Sequence, residues 1–287
     1  MEIINCKELS ENLKTGYRDE VASLREITGE CPNLTVILVG EDPASQRYVR
    51  NKERACEMVG IETSTVRLPE EIQQEELLRL INRLNNDTHV NGILVQLPLP
   101  NHLDSEVICN AIDPVKDVDG FTRESVAKLW LGEKDVLNPC TPRGVIEILD
   151  SIGFEYSGKK AVVVGRSKIV GLPMSKLLLD RNCTVTVAHS RSDLKQACAD
   201  ADLLIAAIGK PKFISPDTVG TQFSGVTIVD VGINVDPDTG KLCGDVDADA
   251  MAPYCKAITP VPGGVGPMTV TMLLKNTIRA FRKQNGV

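Results

Sequence analysis

Tyr48 and Lys52 stand four residues apart in a segment after Ser45 that reads as helix, so both side chains project from one face. A tyrosine beside a lysine can hold the amine against an apolar pocket, where desolvation lowers its pKa. Such a lysine serves as acid, base or hydrogen-bond donor to a water; the plain alternative is an aromatic and charged pair on a helix surface. Gln96 closes the apolar run Gly92-Ile93-Leu94-Val95 and precedes Leu97-Pro98-Leu99-Pro100. Open α/β sheets bind ligands at strand ends, so its neutral amide either orients a reacting group or caps a loop. Asp117-Val118-Asp119-Gly120 sets two acids in a turn. So few ligands do not make a dedicated metal site, which leaves an Asx turn or a carboxylate accepting hydrogen bonds from the amino group and ring N–H of a heterocycle. The segment Pro260 to Pro267, which includes Pro262, Gly263 and Gly264, either lets backbone approach a flat ligand or simply connects a strand to a helix.

A second chemistry lies past the middle of the chain. Lys160-Ala161-Val162-Val163-Val164 reads as a strand buried on both faces, and Gly165-Arg166-Ser167-Lys168-Ile169-Val170-Gly171 as a turn into a helix. Such a turn offers backbone N–H groups and the positive end of a helix dipole to a phosphate. The spacing departs from G-x-G-x-x-G, because Ser167 stands where the second glycine would fall. The next strand, Cys183 to Ala188, ends in His189-Ser190-Arg191, whereas a free ribose 2′-hydroxyl would favour an acid there. A hydroxyl and a guanidinium suit a 2′-phosphate, which points to NADP over NAD, and Arg166 adds a second cation. Arg191 read alone is also compatible with a solvated surface arginine.

The elements that must position these groups alternate. A helix at about 6–28 leads to strands at 34–39, 61–67 and 91–96, separated by helices at 45–59 and 71–85. A loop from Asp113 to Phe121 and a short helix near 124–131 follow, and Pro139-Cys140-Thr141-Pro142 starts a helix to about 151. The dinucleotide strand then opens a second layer, with strands near 202–208 and 226–231 and a final helix at about 267–283. This is the signature of two α/β layers with parallel sheets. The 287 residues, 42% apolar and 25% charged, support two soluble globular domains. The start of the chain lacks the basic-then-apolar order of a signal peptide, and no apolar run approaches membrane-spanning length, which predicts a cytoplasmic protein with no membrane partner. Nine cysteines without a C-x-x-C pair, and three scattered histidines, read as reduced thiols with neither a disulfide framework nor a metal site. A net charge of −7 speaks against a nucleic-acid surface.

Tyr48-x3-Lys52, Val95-Gln96-Leu97-Pro98-Leu99-Pro100, Lys116-Asp117-Val118-Asp119-Gly120, the Gly165–Gly171 turn and Pro262-Gly263-Gly264-Val265-Gly266-Pro267 occur together and in this order. In that conjunction the chain resembles, essentially end to end, the bifunctional methylenetetrahydrofolate dehydrogenase/methenyltetrahydrofolate cyclohydrolase family. Pro139-Cys140-Thr141-Pro142-Arg143-Gly144 resembles the family's interdomain segment, with Arg143 where a lysine is usual. The resemblance implies a catalytic, folate-binding domain from residues 1–138 plus 266–287, a Rossmann-like NADP-binding domain from 139–265, a cleft between them, and a homodimer. It implies oxidation of 5,10-methylenetetrahydrofolate and hydration of the resulting methenyl cation to 10-formyltetrahydrofolate. Lys52 would be the central catalytic residue, Gln96 would tune it, Tyr48 would pack on the folate, and Asp119 would anchor the pterin. Pro262, Gly263 and Gly264 would join the substrate site. Gly165, Arg166, Ser167, Ser190, Arg191 and Ile233 would hold the cofactor.

Three other readings fit less of the sequence. A short-chain dehydrogenase also spaces a tyrosine and a lysine by three residues, but places that pair after the cofactor strands, whereas Tyr48 and Lys52 precede Gly165 by more than a hundred residues. A dehydrogenase without cyclohydrolase activity leaves the joint presence of Tyr48, Lys52 and Gln96 unexplained. A non-catalytic NADP-binding scaffold needs none of the three.

Overall fold

Residues Leu34 to Val39 are all buried, so this strand is covered on both faces and lies in the interior of a parallel sheet. The helix after it starts sharply because Asp42 accepts the Ser45 N–H at 2.7 Å and Pro43 needs no partner for an N–H. It stops at Gly60, whose φ of 81° turns its N–H back to the carbonyls of Cys56 and Glu57. The computed structural model describes every residue except Ser224. Its first part runs β1 (Glu2–Ile3), α1 (Cys6–Thr28), β2 (Asn33–Val39), α2 (Pro43–Val59), β3 (Glu62–Leu68), α3 (Gln74–Asn86), β4 (Gly92–Val95), α4 (Ser105–Asn110), α5 (Arg123–Leu131) and α6 (Cys140–Ser151). The rest runs β5 (Lys160–Val164), α7 (Gly171–Leu179), β6 (Thr184–Ala188), α8 (Leu194–Cys198), β7 (Leu203–Ala206), α9 (Pro216–Val219), β8 (Val226–Asp230), β9 (Asn234–Val235), β10 (Leu242–Cys243), α10 (Ala248–Met251), β11 (Cys255–Ile258) and α11 (Val265–Asn285).

The chain divides into two units. Glu11–Cys140 with Val270–Val287 contains a parallel sheet in the order β3-β2-β4, and Asp117 bridges to Ile93 beyond β4. Its core includes Ile37, Leu77, Ile81, Ile93 and Ile108, each fully buried and each contributing about 2 kcal/mol through removal from water. Met1–Ser10 with Thr141–Thr269 contains a six-stranded parallel sheet in the order β1-β11-β8-β7-β5-β6. Val162, Leu204, Ala206, Ile228 and Ile258 pack on one face of it. In both sheets the first strand of the α/β run, β2 or β5, has its successors on either side, the switch point at which such sheets open a crevice.

The first ten residues differ from the sequence-based layout. Glu2 and Ile3 pair in parallel with Ala257 and Ile258, so the start of the chain supplies the outermost strand of the six-stranded sheet. Two or three residues carry no periodicity from which such a strand can be read. The four-residue β11 and the β9–β10 hairpin are too short for the same reason. Among the described residues no helix is long and apolar enough to cross a membrane.

Candidate functional site

Lys52 lies near the middle of α2, one turn after Tyr48, and its Nζ donates to Gln96 Oε1 at 3.0 Å. Gln96 sits just past β4, where its own N–H continues the ladder to Ile37 O at 2.9 Å. Buried to 8% exposure, the amide is held as a rigid acceptor. Tyr48 is exposed at 45%, with its ring open to an incoming molecule. Burial pushes the Lys52 ammonium below its ordinary 10.5, and Asp119, the strongest charge acting on it, pulls it back up. Asp119 mirrors this: burial raises its carboxyl above 3.8, and Lys52 is the strongest influence lowering it. Both groups are therefore displaced toward their neutral forms.

The two acids of the turn have different surroundings. Asp117, 2% exposed, accepts the N–H groups of Gly120 at 2.9 Å, Phe121 at 3.2 Å and Thr122 at 2.8 Å, which makes it the turn-forming acid. Gly120 has φ 74°, and a Cβ there would meet Leu137 O at 2.6 Å. Asp119 is thereby left to face Lys52 and the thiol of Cys140. The sequence reading missed Asn276 of α11, a buried amide whose Nδ2 donates to Val118 O at 2.8 Å and to Asn138 O at 2.9 Å. It ties the carbonyl before Asp119 to the segment leading into Cys140, whose thiol donates to Val118 O at 3.3 Å. A single asparagine 158 residues from its partner carries no local signal of that role. Arg143 is engaged along its own helix by Glu147 Oε1, at 2.6 Å from Nη2 and 3.2 Å from Nε.

The other unit builds its site mainly from backbone. Gly165 has φ 134°, and a Cβ on it would overlap Ala207 O; one on Gly171 would overlap Gly165 O. The turn therefore packs directly on the end of β7 and on the first turn of α7, the close approach that a dinucleotide-binding glycine turn requires. Ser167, in the place of a second glycine, uses its Oγ to accept the Val170 N–H at 3.2 Å and the Gly171 N–H at 3.3 Å. Those helix-start N–H groups thus go to Ser167, although the sequence reading offers them to a phosphate. The dipole end of α7 and the exposed Arg166 remain to attract one. Val164 pairs with Ala188, so Arg166 and the Ser190-Arg191 pair leave from the ends of adjacent strands. Ser190 and Arg191 are exposed, and the Arg191 N–H bonds His189 Nδ1 at 3.2 Å, which fixes the backbone and leaves the guanidinium accessible.

Ile233, 49% exposed, follows β8 at the same edge of the sheet, and Pro262, Gly263 and Gly264 follow β11 there. Gly263 has φ 97°, and a Cβ on Gly264 would overlap Pro260 O, so this connection also depends on glycine. The structure thus gathers Lys52, Gln96 and Asp119 in one unit, with Tyr48 beside them on α2. It gathers the nucleotide candidates, together with Pro262 to Gly264, along one sheet edge of the other unit. Among the described residues no group of three His, Cys, Asp or Glu side chains is arranged to hold a metal.

Comparison with known proteins assigns the two regions. The model of the tetrahydrofolate dehydrogenase/cyclohydrolase catalytic domain matches residues 4–119, and that of the NAD(P)-binding domain of the same family matches residues 139–285. The bifunctional protein FolD of Campylobacter concisus is 54% identical over 281 residues, covering 98% of this chain and 97% of that protein. The crystal structure of the bifunctional enzyme FolD, a methylenetetrahydrofolate dehydrogenase/cyclohydrolase from Campylobacter jejuni, superposes with a TM-score of 0.95 at 44% identity over 99% of both chains. That of the Trypanosoma brucei dehydrogenase-cyclohydrolase, complexed with NADP cofactor and an inhibitor, does so with a TM-score of 0.93 at 36% identity over 99% of this chain and 98% of that one. Matched by both domain models and more than half identical to a relative along nearly its whole length, the chain belongs to the tetrahydrofolate dehydrogenase/cyclohydrolase family.

Proposed function

We propose that this chain oxidises 5,10-methylenetetrahydrofolate to the 5,10-methenyl cation with NADP, then hydrates that cation to 10-formyltetrahydrofolate at the same folate site. The observation that carries the reading is the hydrogen bond from Lys52 Nζ to Gln96 Oε1, with Asp119 alongside and the ammonium displaced toward its neutral form. Oxidation of the methylene bridge leaves an amidinium-like cation and needs no base. Water adding to that cation must lose a proton, and a neutral Lys52 accepts it without repelling the positive substrate. Gln96 is suited to this because a neutral amide fixes the direction of the amine without stabilising its charge as a carboxylate would.

Asp119 is assigned to the amino and ring N–H edge of the pterin, and Tyr48 to packing and positioning of the folate, to which Pro262, Gly263 and Gly264 contribute backbone. NADP, when bound, supplies the two-electron acceptor. The residues suited to hold it are Gly165, Arg166, Ser167 and Ile233, with Ser190 and Arg191 at the 2′-phosphate; the glycine contacts with Ala207 and within the turn leave the close backbone surface such a ligand needs. Family resemblance supports a cytoplasmic homodimer, which sedimentation and cell fractionation would check. One experiment tests the activity: following NADPH appearance from methylenetetrahydrofolate and, separately, loss of methenyltetrahydrofolate supplied directly. The reading requires both rates to exceed the uncatalysed ones; absence of either reduces the chain to one activity.

A further inference from the structure

Asp245 is fully buried in the nucleotide unit, and nothing proposed above uses it. Its Oδ2 accepts the N–H groups of Ile208 at 2.6 Å and Gly209 at 3.0 Å, and its Oδ1 accepts those of Lys210 at 2.9 Å and the Asn234 side chain at 2.8 Å. Four donors on two oxygens fill the accepting capacity of a carboxylate. The loop it holds begins at Ala207, whose carbonyl lies where a Cβ on Gly165 would be. On its other side a Cβ on Gly232 would overlap Asp245 Oδ1, so Gly232 and Asn234, the two neighbours of the exposed Ile233, both rest on this carboxylate. Asp245 is itself held by Asp230 at the end of β8, which accepts the Asp245 N–H at 3.0 Å and the Val246 N–H at 2.9 Å.

We propose that Asp245 is a positioning residue for NADP: its buried carboxylate locks the loop after β7 and the segment presenting Ile233 into one frame, fixing the spacing between the glycine turn and the edge of the sheet that receives the nucleotide. The inference rests on the NADP-binding reading of this unit. It goes beyond a contribution to folding because the ties are specific to two ligand-facing segments at the carboxyl ends of β7 and β8. In Asp245→Asn one oxygen becomes an NH2 group that opposes at least one backbone donor in either orientation, the N–H groups of Ile208 and Gly209 or that of Lys210 beside the Asn234 amide, so one of the two segments must shift.

Hydration of methenyltetrahydrofolate consumes no NADP, so cyclohydrolase activity reports on the folate site without the nucleotide. In Asp245→Asn the Kd for NADP, measured by calorimetry with NADP alone, is expected to rise about tenfold or more, while cyclohydrolase kcat/KM stays within about twofold. An unchanged NADP Kd overturns the proposal, as does a parallel fall of cyclohydrolase activity, which marks Asp245 as a general fold residue. If Asp245→Asn does not fold, Asn234→Ala decides: removing one of the four ties should raise the NADP Kd roughly threefold with cyclohydrolase activity retained, and an unchanged Kd overturns the inference. Wild-type protein that fails to bind NADP would instead refute the functional reading on which this rests.

Discussion

The two parallel sheets begin alike and serve chemistry in opposite ways. Each sets the first strand of its α/β run, β2 or β5, between that strand's successors, and each sends it through a short turn into a helix. After β2 the helix start is closed by Asp42 and Pro43, and the proposed base, Lys52, lies more than two turns farther along α2. After β5 the turn itself packs closely on backbone, because Gly165 and Gly171 at its two ends have no space for a Cβ. On the proposed function, one region works through side chains that converge from separate segments, Lys52, Gln96 and Asp119. On the same proposal the other works through the shape of its backbone, with Arg166 and Arg191 as accessory charges. The first should fail at a single atom, and the second when its backbone moves.

The largest expected effect is at Lys52. Lys52→Met should reduce cyclohydrolase activity by about a thousandfold while leaving measurable dehydrogenase activity, because only hydration needs a proton acceptor. Supplying methenyltetrahydrofolate directly and correcting for its spontaneous hydrolysis isolates that step; a wild-type rate would remove Lys52 from the mechanism. Burial lowers the Lys52 pKa and the base must be neutral, so the wild-type cyclohydrolase rate should rise with pH through a value below 10.5. That limb should vanish in Lys52→Met.

Gly165→Ala tests the backbone side of the comparison. At φ 134°, against Ala207 O, an added methyl should cost about 2 kcal/mol or more, read as a roughly thirtyfold weaker NADP affinity by calorimetry with cyclohydrolase activity kept. An unchanged affinity would mean that the turn tolerates side chains and the contrast is false.

Asp119→Ala should raise the KM for folate about tenfold, through loss of its hydrogen bonds to the amino and ring N–H edge of the pterin, with NADP affinity unaltered. Equal folate affinity in a folded variant would leave Asp119 with no part in holding substrate. For Arg191→Ala, steady-state kinetics with both nucleotides should show the NADP-over-NAD preference falling roughly fivefold, mostly through NADP, as expected for an exposed charge facing a 2′-phosphate. A matching loss with NAD would show that Arg191 does not read that phosphate.

The smallest effect concerns Asp230, whose carboxyl burial raises to about 6. A carboxyl whose pKa is higher folded than unfolded adds stability below its unfolded value and loses it as pH rises through the folded value. Relative to Asp230→Asn, wild type should therefore lose a few degrees of Tm between pH 5 and pH 7. A difference in Tm that is flat across this window would mean that the N–H donors from Gly232, Asp245 and Val246 fully offset the burial.

Local signals carry far along this chain. The buried apolar runs locate β2, β4 and β5, Gly60 closes α2, and four residues of helix spacing align Tyr48 with Lys52. These depend on propensities and spacings within a few residues, which the sequence states directly. The turn at Asp117–Gly120 was legible as a turn, but which acid builds it and which faces Lys52 was not, because both have the same chemistry and lie two residues apart. Only the bridge of Asp117 to Ile93 and the N–H groups gathered behind it decide the matter. The meeting of Lys52 with Gln96, the hold of Asn276 on Val118 and Asn138, the pairing of β1 with β11 and the knot at Asp245 likewise belong to the tertiary structure. Each depends on polar groups finding partners brought near by packing, and separation along the chain records nothing of that requirement.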